Sequence, residues 1–512
     1  MTEPGRKSAD MAPMLALSAA LWLVALVPVA AADDDQPPAE PQAPPAKVET
    51  RHTVTLGGHP LDYRAVAETF GLVDQKDQPT ASVFTITYLV DPPAGRSRPV
   101  AFVFNGGPGA AAVFLHLGGL GPKILDSPAS GAVPSPPVRL IDNPSSWLLF
   151  TDLVFVDPVG TGFSRGRGKE DNPDKPFWGV RSDLNALGAV MRRWLSRHER
   201  WASPVHLVGE SYGGLRAAAL AHSLERDIGL TVSGLVMISP ALDIELLHPD
   251  ISNPMAAAFN LPSFAATAAA LAGGPAPAEA GRAAEAFALS DYLIGLTALP
   301  GIVLPGNPLI ARIAKTIGLP EEIVRRERGR VGSETFVREL RRDQGEILSK
   351  YDATVRRPTP ANPWDDHAGD AILEPAAAAF TAAFDSYAAD QLGYKTEQPY
   401  RVLWHQASQQ WNWEGASGEG GLGIALASLQ NTLLAHPETR VLIAGGRYDL
   451  VTPYLASRWL IDQLAVPAAV REAVRIRVYD GGHMMYMRPA PRAALAADAA
   501  EIFGPESNGK PR

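Results

Sequence analysis

The 512-residue chain is 46% hydrophobic and 20% charged, carries a formal net charge of -9 and contains no cysteine. That is the composition of a globular protein with one large core or two smaller ones, and it excludes disulfide stapling and lipid attachment at cysteine. With modest acidity and no long basic run, the chain has no electrostatic footprint for nucleic acid, so the expected partners are peptides or small molecules. Nothing in the composition indicates the oligomeric state.

At the N-terminus, Arg6 and Lys7 precede an apolar run from Leu15 to Val29, followed by Ala30-Ala31-Ala32 and then Asp33-Asp34-Asp35. These are the charged, apolar and small-residue parts of a signal peptide over 1–32, with cleavage after Ala31 or Ala32. The alternative is an uncleaved anchor, which the shortness of the run disfavours, since a spanning helix needs about 20 apolar residues. The expected product is exported, to a bacterial periplasm or beyond, without stable membrane insertion after cleavage. Residues 33–49 are acidic and proline-rich and cannot bury enough apolar surface to fold, so they read as a linker.

From Thr50 to Pro92, short alternating runs with a turn at Gly57-Gly58 predict antiparallel strands at a sheet edge. From Pro99 the pattern changes to unbroken apolar runs, VAFVF, LVFVD, VHLVG and LVMIS, separated by long helical patterns. Such runs fit strands covered on both faces, as in a mostly parallel sheet with helical crossovers. The rhythm stops near Pro240 and resumes at RVLIAGG and VRIRVYDGG. The predicted organisation is therefore an α/β core over 50–240 and 436–505, with a mainly helical cap insertion over 241–435. Within the insertion, WHQASQQWNWEG brings together Trp404, Trp411 and Trp413, which fit core packing better than a substrate cleft.

The segment VHLVGESYGGLRAAALAHSL places a Gly-x-Ser-x-Gly turn between an apolar run and a helical pattern. That is the setting of a nucleophile elbow, where the tight turn excludes side chains at Gly209 and Gly213 and pushes Ser211 out above the sheet. A serine needs an imidazole to take its proton, and the imidazole needs an acid to fix its tautomer. Downstream, Asp449 follows the run VLIA and His483 follows RIRVY, both on loops beyond strand ends, in the order Ser, Asp, His. Among the 11 histidines, His206 falls inside a strand, His222 on a helix and His436 ahead of the Asp loop. Asp480 is the rival acid, but it stands too close in sequence to His483 to support the ring from a neighbouring strand.

Upstream, FVFNGGPGAAAVF puts a glycine-rich turn after another strand. Gly107, Gly109 and Ala112 match a loose dinucleotide-binding pattern with Asp126 at the right distance, but Asp126 is not expected to end a strand. The other reading is an oxyanion hole built from the N–H groups of Gly107 and Tyr212.

Together NGGPG, NPSSW, DPVGTGFS, GESYGG, GGRYDLVTP and GGHMM resemble the serine carboxypeptidases, in order, over about residues 50–505. The resemblance implies an α/β-hydrolase fold, a triad of Ser211, Asp449 and His483, and release of single residues from peptide C-termini. It further implies that Asn105 and Glu210 hold the substrate's terminal carboxylate. Two carboxylates in contact cannot both be ionised, so Glu210 would have to act as an acid. The chain departs from the family pattern where a second glutamate is usual: Gly119 stands there, and no glutamate occurs between Asn105 and Leu140. An esterase or acyltransferase of the same fold is the alternative reading. No cofactor is expected, and no metal either, because neither HExxH nor a zinc-type ligand spacing occurs.

Overall fold

The computed structural model describes residues 45–504, apart from 92–96, 248–251, 274–275, 299–303, 305, 362–368 and 417–422. The signal-peptide reading and most of the linker reading fall outside the described residues. Strand β1 (Lys47–Leu56) starts inside the stretch read as linker and pairs along its whole length with β2 (His59–Val73). Antiparallel pairing continues from β2 to β3 (Pro79–Leu89), as the alternating runs predict.

The parallel part begins at β4 (Val100–Phe104) and β5 (Asp152–Val156). After α1 (Val180–Arg197) come β6 (Val205–Glu210), α2 (Tyr212–Ile228) and β7 (Gly234–Ile238). Beyond the intervening helices, which include α3 (Pro254–Ala272), α4 (Leu373–Asp390) and α5 (Ile424–Ala435), the sheet is completed by β8 (Arg440–Gly446) and β9 (Val474–Tyr479). Helix α6 (Pro489–Phe503) follows. The strand order is β1-β2-β3-β5-β4-β6-β7-β8-β9, with the two-residue strand Arg165–Gly166 added beside β3. From β5 to β9 every neighbouring pair is parallel. This is the α/β-hydrolase fold.

Every residue of β4, β5, β6 and β7 is buried, which is why these strands read as unbroken apolar runs. The edge strand β9 alternates half-buried and exposed positions instead, with only Tyr479 buried. Successive residues face opposite sides: Ala101 and Val103 join one core cluster, while Val100, Phe102 and Phe104 join the other. Helices α1, α2 and α5 cover the second face, and α4 and α6 cover the first.

The 241–435 segment divides among three cores. Its C-terminal part supplies α4 and α5 to the two sheet faces, and only its N-terminal part builds a separate cluster, around Phe259, Phe264, Ile313 and Phe336. Helix α3, at 19 residues, is long and apolar enough to cross a membrane by composition, yet 67% of its most apolar window is buried within the protein. Its apolarity is accounted for by packing on its neighbours.

Candidate active site

The C-terminal ends of β4, β6, β7, β8 and β9 deliver Asn105, Ser211, Ser239, the Asp449 loop and the His483 loop to one edge of the sheet. Ser211 sits between β6 and α2 with φ 58° and ψ -124°, a strained backbone that turns the chain from strand to helix. The elbow is closed by Ser211 N–H donating to Ile238 O at 3.0 Å, and Ser211 O accepts from Gly214 N and Ala241 N at 2.9 and 3.0 Å. A β-carbon at Gly209 would lie 1.8 Å from Gly213 O, so glycine is obligatory there.

His483 and Asp449 meet directly, with Nδ1 2.9 Å from Oδ2. The carboxylate is fixed on its other side, where Oδ1 accepts from Val451 N and Thr452 N at 2.8 and 3.0 Å. Thr452 Oγ1 lies 2.7 Å from Asp449 Oδ2 and 3.1 Å from His483 Nδ1. Burial disfavours the His483 imidazolium, but the charge and hydrogen bond of Asp449, aided by Glu210, outweigh it and hold the ring above the ordinary histidine range. Asp480, the rival acid, pairs instead with Arg447 at 2.6 Å on the surface.

Ser239 links both loops to β7. Its hydroxyl donates to His483 O at 2.9 Å, its carbonyl accepts from Thr452 Oγ1 at 2.9 Å, and its N–H donates to Ala444 O of β8 at 2.6 Å. A second anchor comes from His483 N–H, which donates to Tyr351 O at 2.5 Å. Neither Thr452 nor Ser239 stands out in the sequence, because each acts through neighbours that only the fold supplies.

Ser211 and His483 line one cavity of about 240 Å³. Among the described residues no hydrogen bond joins the Ser211 hydroxyl to the imidazole, an arrangement that tightens in many hydrolases only when substrate binds. The glycine-rich loop lies against the elbow: a β-carbon at Gly106 would be 2.6 Å from Tyr212 N and 2.9 Å from Ser211 Cβ. Gly107 lines the cavity, and Tyr212 N–H, first in α2, has no preceding helical carbonyl to pair with. Asp157 props the loop, its Oδ1 accepting from Ala112 N at 2.9 Å and Tyr400 OH at 3.1 Å; burial raises its pKa to about 7. Asp126 does end a strand, Lys123–Leu125, but that strand belongs to a separate two-stranded ribbon, so it gives no dinucleotide arrangement.

Beside Ser211, Glu210 is buried and held at both oxygens: Oε1 accepts from Tyr486 OH at 2.6 Å and Oε2 accepts from the Asn105 side-chain amide. Asn105 is itself fixed, its Oδ1 accepting from Leu115 N at 3.0 Å and its carbonyl from Arg216, which forms a buried pair with Asp183 at 2.7 Å. Burial raises the pKa of Glu210 above the ordinary range against the pull of His483, Tyr486 and Asn105. Tyr486, like Thr452 and Ser239, is a site residue that the sequence does not reveal.

The opposite wall of the cavity comes from the inserted segment and is mostly apolar, with Tyr351, Leu373, Leu403 and Trp404. The tryptophan cluster divides: Trp404 lines the cavity, while Trp411 packs edge-on against Tyr212 behind the elbow with ring centroids 5.4 Å apart. A larger cavity, about 590 Å³, lies among α1, α2 and α5, and none of the candidate site residues lines it.

Residues 62–234 match the serine carboxypeptidase family model. Serine carboxypeptidase-like 9 of Arabidopsis thaliana is 29% identical over 156 residues, 29% of this chain and 34% of that protein. Carboxypeptidase sxa2 of Schizosaccharomyces pombe is 28% identical over 159 residues, 30% of this chain and 29% of that protein. The chain thus spans about a third of the length of the curated relatives it matches. Among solved structures, esterase E22 is 14% identical with a TM-score of 0.38, covering 86% of this chain and 100% of that one. Proline iminopeptidase of Mycobacterium smegmatis is 14% identical with a TM-score of 0.34, covering 85% and 97%. The family match takes in Asn105, Glu210 and Ser211, while Asp449 and His483 lie beyond it and are brought to Ser211 by the sheet. Through residues 62–234, the segment that carries the glycine-rich loop and the elbow, the chain is similar to the serine carboxypeptidase family.

Proposed function

We propose that the protein is a serine carboxypeptidase that removes residues from peptide C-termini through an acyl-enzyme on Ser211. The observation that carries this reading is the convergence of a strained serine elbow, an Asp-held histidine and a buried glutamic acid on one cavity. In this mechanism His483 Nε2 takes the proton of Ser211 Oγ as the oxygen attacks the scissile carbonyl. The N–H groups of Gly107 and Tyr212 receive the oxyanion. The tetrahedral adduct then expels the amine, which takes the proton from the imidazolium, and water releases the acyl group by the same steps in reverse roles. Asp449 stays ionised and fixes the ring. Glu210 in its acid form, with Asn105 behind it, reads the terminal carboxylate, and the apolar wall favours an apolar side chain beside the scissile bond.

An esterase or acyltransferase is the second reading, favoured by the absence of any Lys or Arg among the described cavity-lining residues and by the engagement of both Glu210 oxygens. Mass spectrometry of one peptide set, presented with free and with amidated C-termini from about pH 4 to 8, separates the two. Stepwise shortening of the free acids alone is the expected result. Hydrolysis of an activated ester with both peptide sets intact would transfer the site to the second reading. We also propose export, on the strength of the 1–32 pattern; N-terminal sequencing of the mature protein is the check.

A further inference from the structure

The turn His116–Leu120 packs against Tyr486, and two of its residues, Gly118 and Gly119, have no side chain. Their place is filled by one ring. A β-carbon at Gly119 would lie 2.9 Å from Tyr486 Cβ and Cδ2, and one at Gly118 would lie 2.9 Å from Tyr486 Cε2. The turn is locked in that position, since Asn143 Nδ2 donates to Gly119 O at 2.7 Å and to Gly121 O at 2.8 Å. Tyr486 is fully buried, and its hydroxyl is directed at Glu210 Oε1.

We propose that Tyr486 is the positioning residue of the carboxylate-reading corner: its phenol, seated against Gly118 and Gly119, pins one oxygen of Glu210 while the Asn105 amide holds the other, and the pair fixes how the carboxyl group meets the cavity. The inference rests on the reading of Glu210 as the group that meets a substrate's terminal carboxylate. Of the three partners only Glu210 lines the cavity, so Asn105 and Tyr486 act through it. An ionised carboxyl group only accepts hydrogen bonds, whereas the protonated form has one O–H to give, and a substrate carboxylate can use only the latter. Donation from Tyr486 favours the anion and so lowers the pH at which Glu210 stops being an acid. Burial keeps the phenol itself protonated far above that range. The other groups facing Glu210 are His483 and Asp449 from the two catalytic loops and Tyr351 from the opposite wall.

A tyrosine that merely filled space would be replaceable by phenylalanine without effect on the pH profile. The test is kcat/KM against pH for an N-acyl dipeptide with a free carboxylate and for an uncharged activated ester. Wild type, Tyr486→Phe, Gly119→Ala and Glu210→Gln are compared, with cooperative thermal unfolding as the check that each is folded. Loss of the phenol donor is expected to move the dipeptide's high-pH limb upward by about one pH unit, with no matching limb for the ester. Gly119→Ala, which forces the ring from its seat, is expected to move the limb in the same direction. A limb that stays in place in folded Tyr486→Phe, while Glu210→Gln abolishes it, overturns the role of Tyr486 alone. A limb that survives in Glu210→Gln overturns the carboxylate reading and this inference with it.

Discussion

The two walls of the cavity differ in origin and in kind. One is assembled from strand ends and holds Gly106, Glu210, Ser211 and His483 in a dense hydrogen-bonded arrangement. The other comes from the inserted segment and presents Leu373, Leu403 and Trp404, whose contacts are mostly van der Waals. The difference teaches a division of labour: bond-making needs groups fixed to fractions of an ångström, which a sheet edge provides, whereas selection among side chains needs only shape.

The comparison breaks most decisively at Ser211. Ser211→Ala should lower kcat on any substrate by about 10⁴-fold or more with the fold retained, measured as steady-state turnover beside thermal unfolding. Turnover surviving at the wild-type rate would remove the polar wall from the chemistry. Asp449→Asn tests the same wall through the ring it holds. Because the Asp449 anion raises the pKa of His483, and the ring must be neutral to accept a proton, ester hydrolysis should fall as pH drops through that raised value. In the variant the acid limb should shift to lower pH, and kcat should drop by about 10³- to 10⁴-fold. An unmoved limb would assign the titration to another group. The apolar wall should respond more gently: Leu403→Ala is expected to shift the preference between large and small apolar residues by about tenfold in kcat/KM, leaving the pH limbs in place. A loss as large as that of Ser211→Ala would erase the distinction between the walls.

Most of the polar wall was legible before any coordinates. Ser211 and Asp449 each follow a strand with an unbroken apolar run, and strands buried on both faces announce themselves in sequence; His483 follows the alternating edge strand β9. The antiparallel edge was legible for the related reason that β1 to β3 alternate. Tyr486 was hidden because its meaning depends on an absence, the missing side chains of Gly118 and Gly119, in a turn far away in sequence. Thr452 and Ser239 were hidden because small hydroxyl residues near strand ends are ordinary. The inserted segment resisted further: the alanine-rich helices α4 and α5 bury residues in the two faces of the sheet, yet their composition does not say which surface they cover.

Ser239 gives the site a particular tolerance to movement elsewhere. The acid and the base ride on separate loops, and if each were anchored independently their positional errors would add. Both loops instead refer to one residue at the end of a central strand, whose own amide is bonded to the next strand. The separation between carboxylate and imidazole therefore has a common reference in the central sheet. The apolar wall touches this arrangement through the segment around Tyr351, whose carbonyl accepts from the His483 amide, so rearrangements elsewhere in the wall can accumulate without detuning the proton transfer.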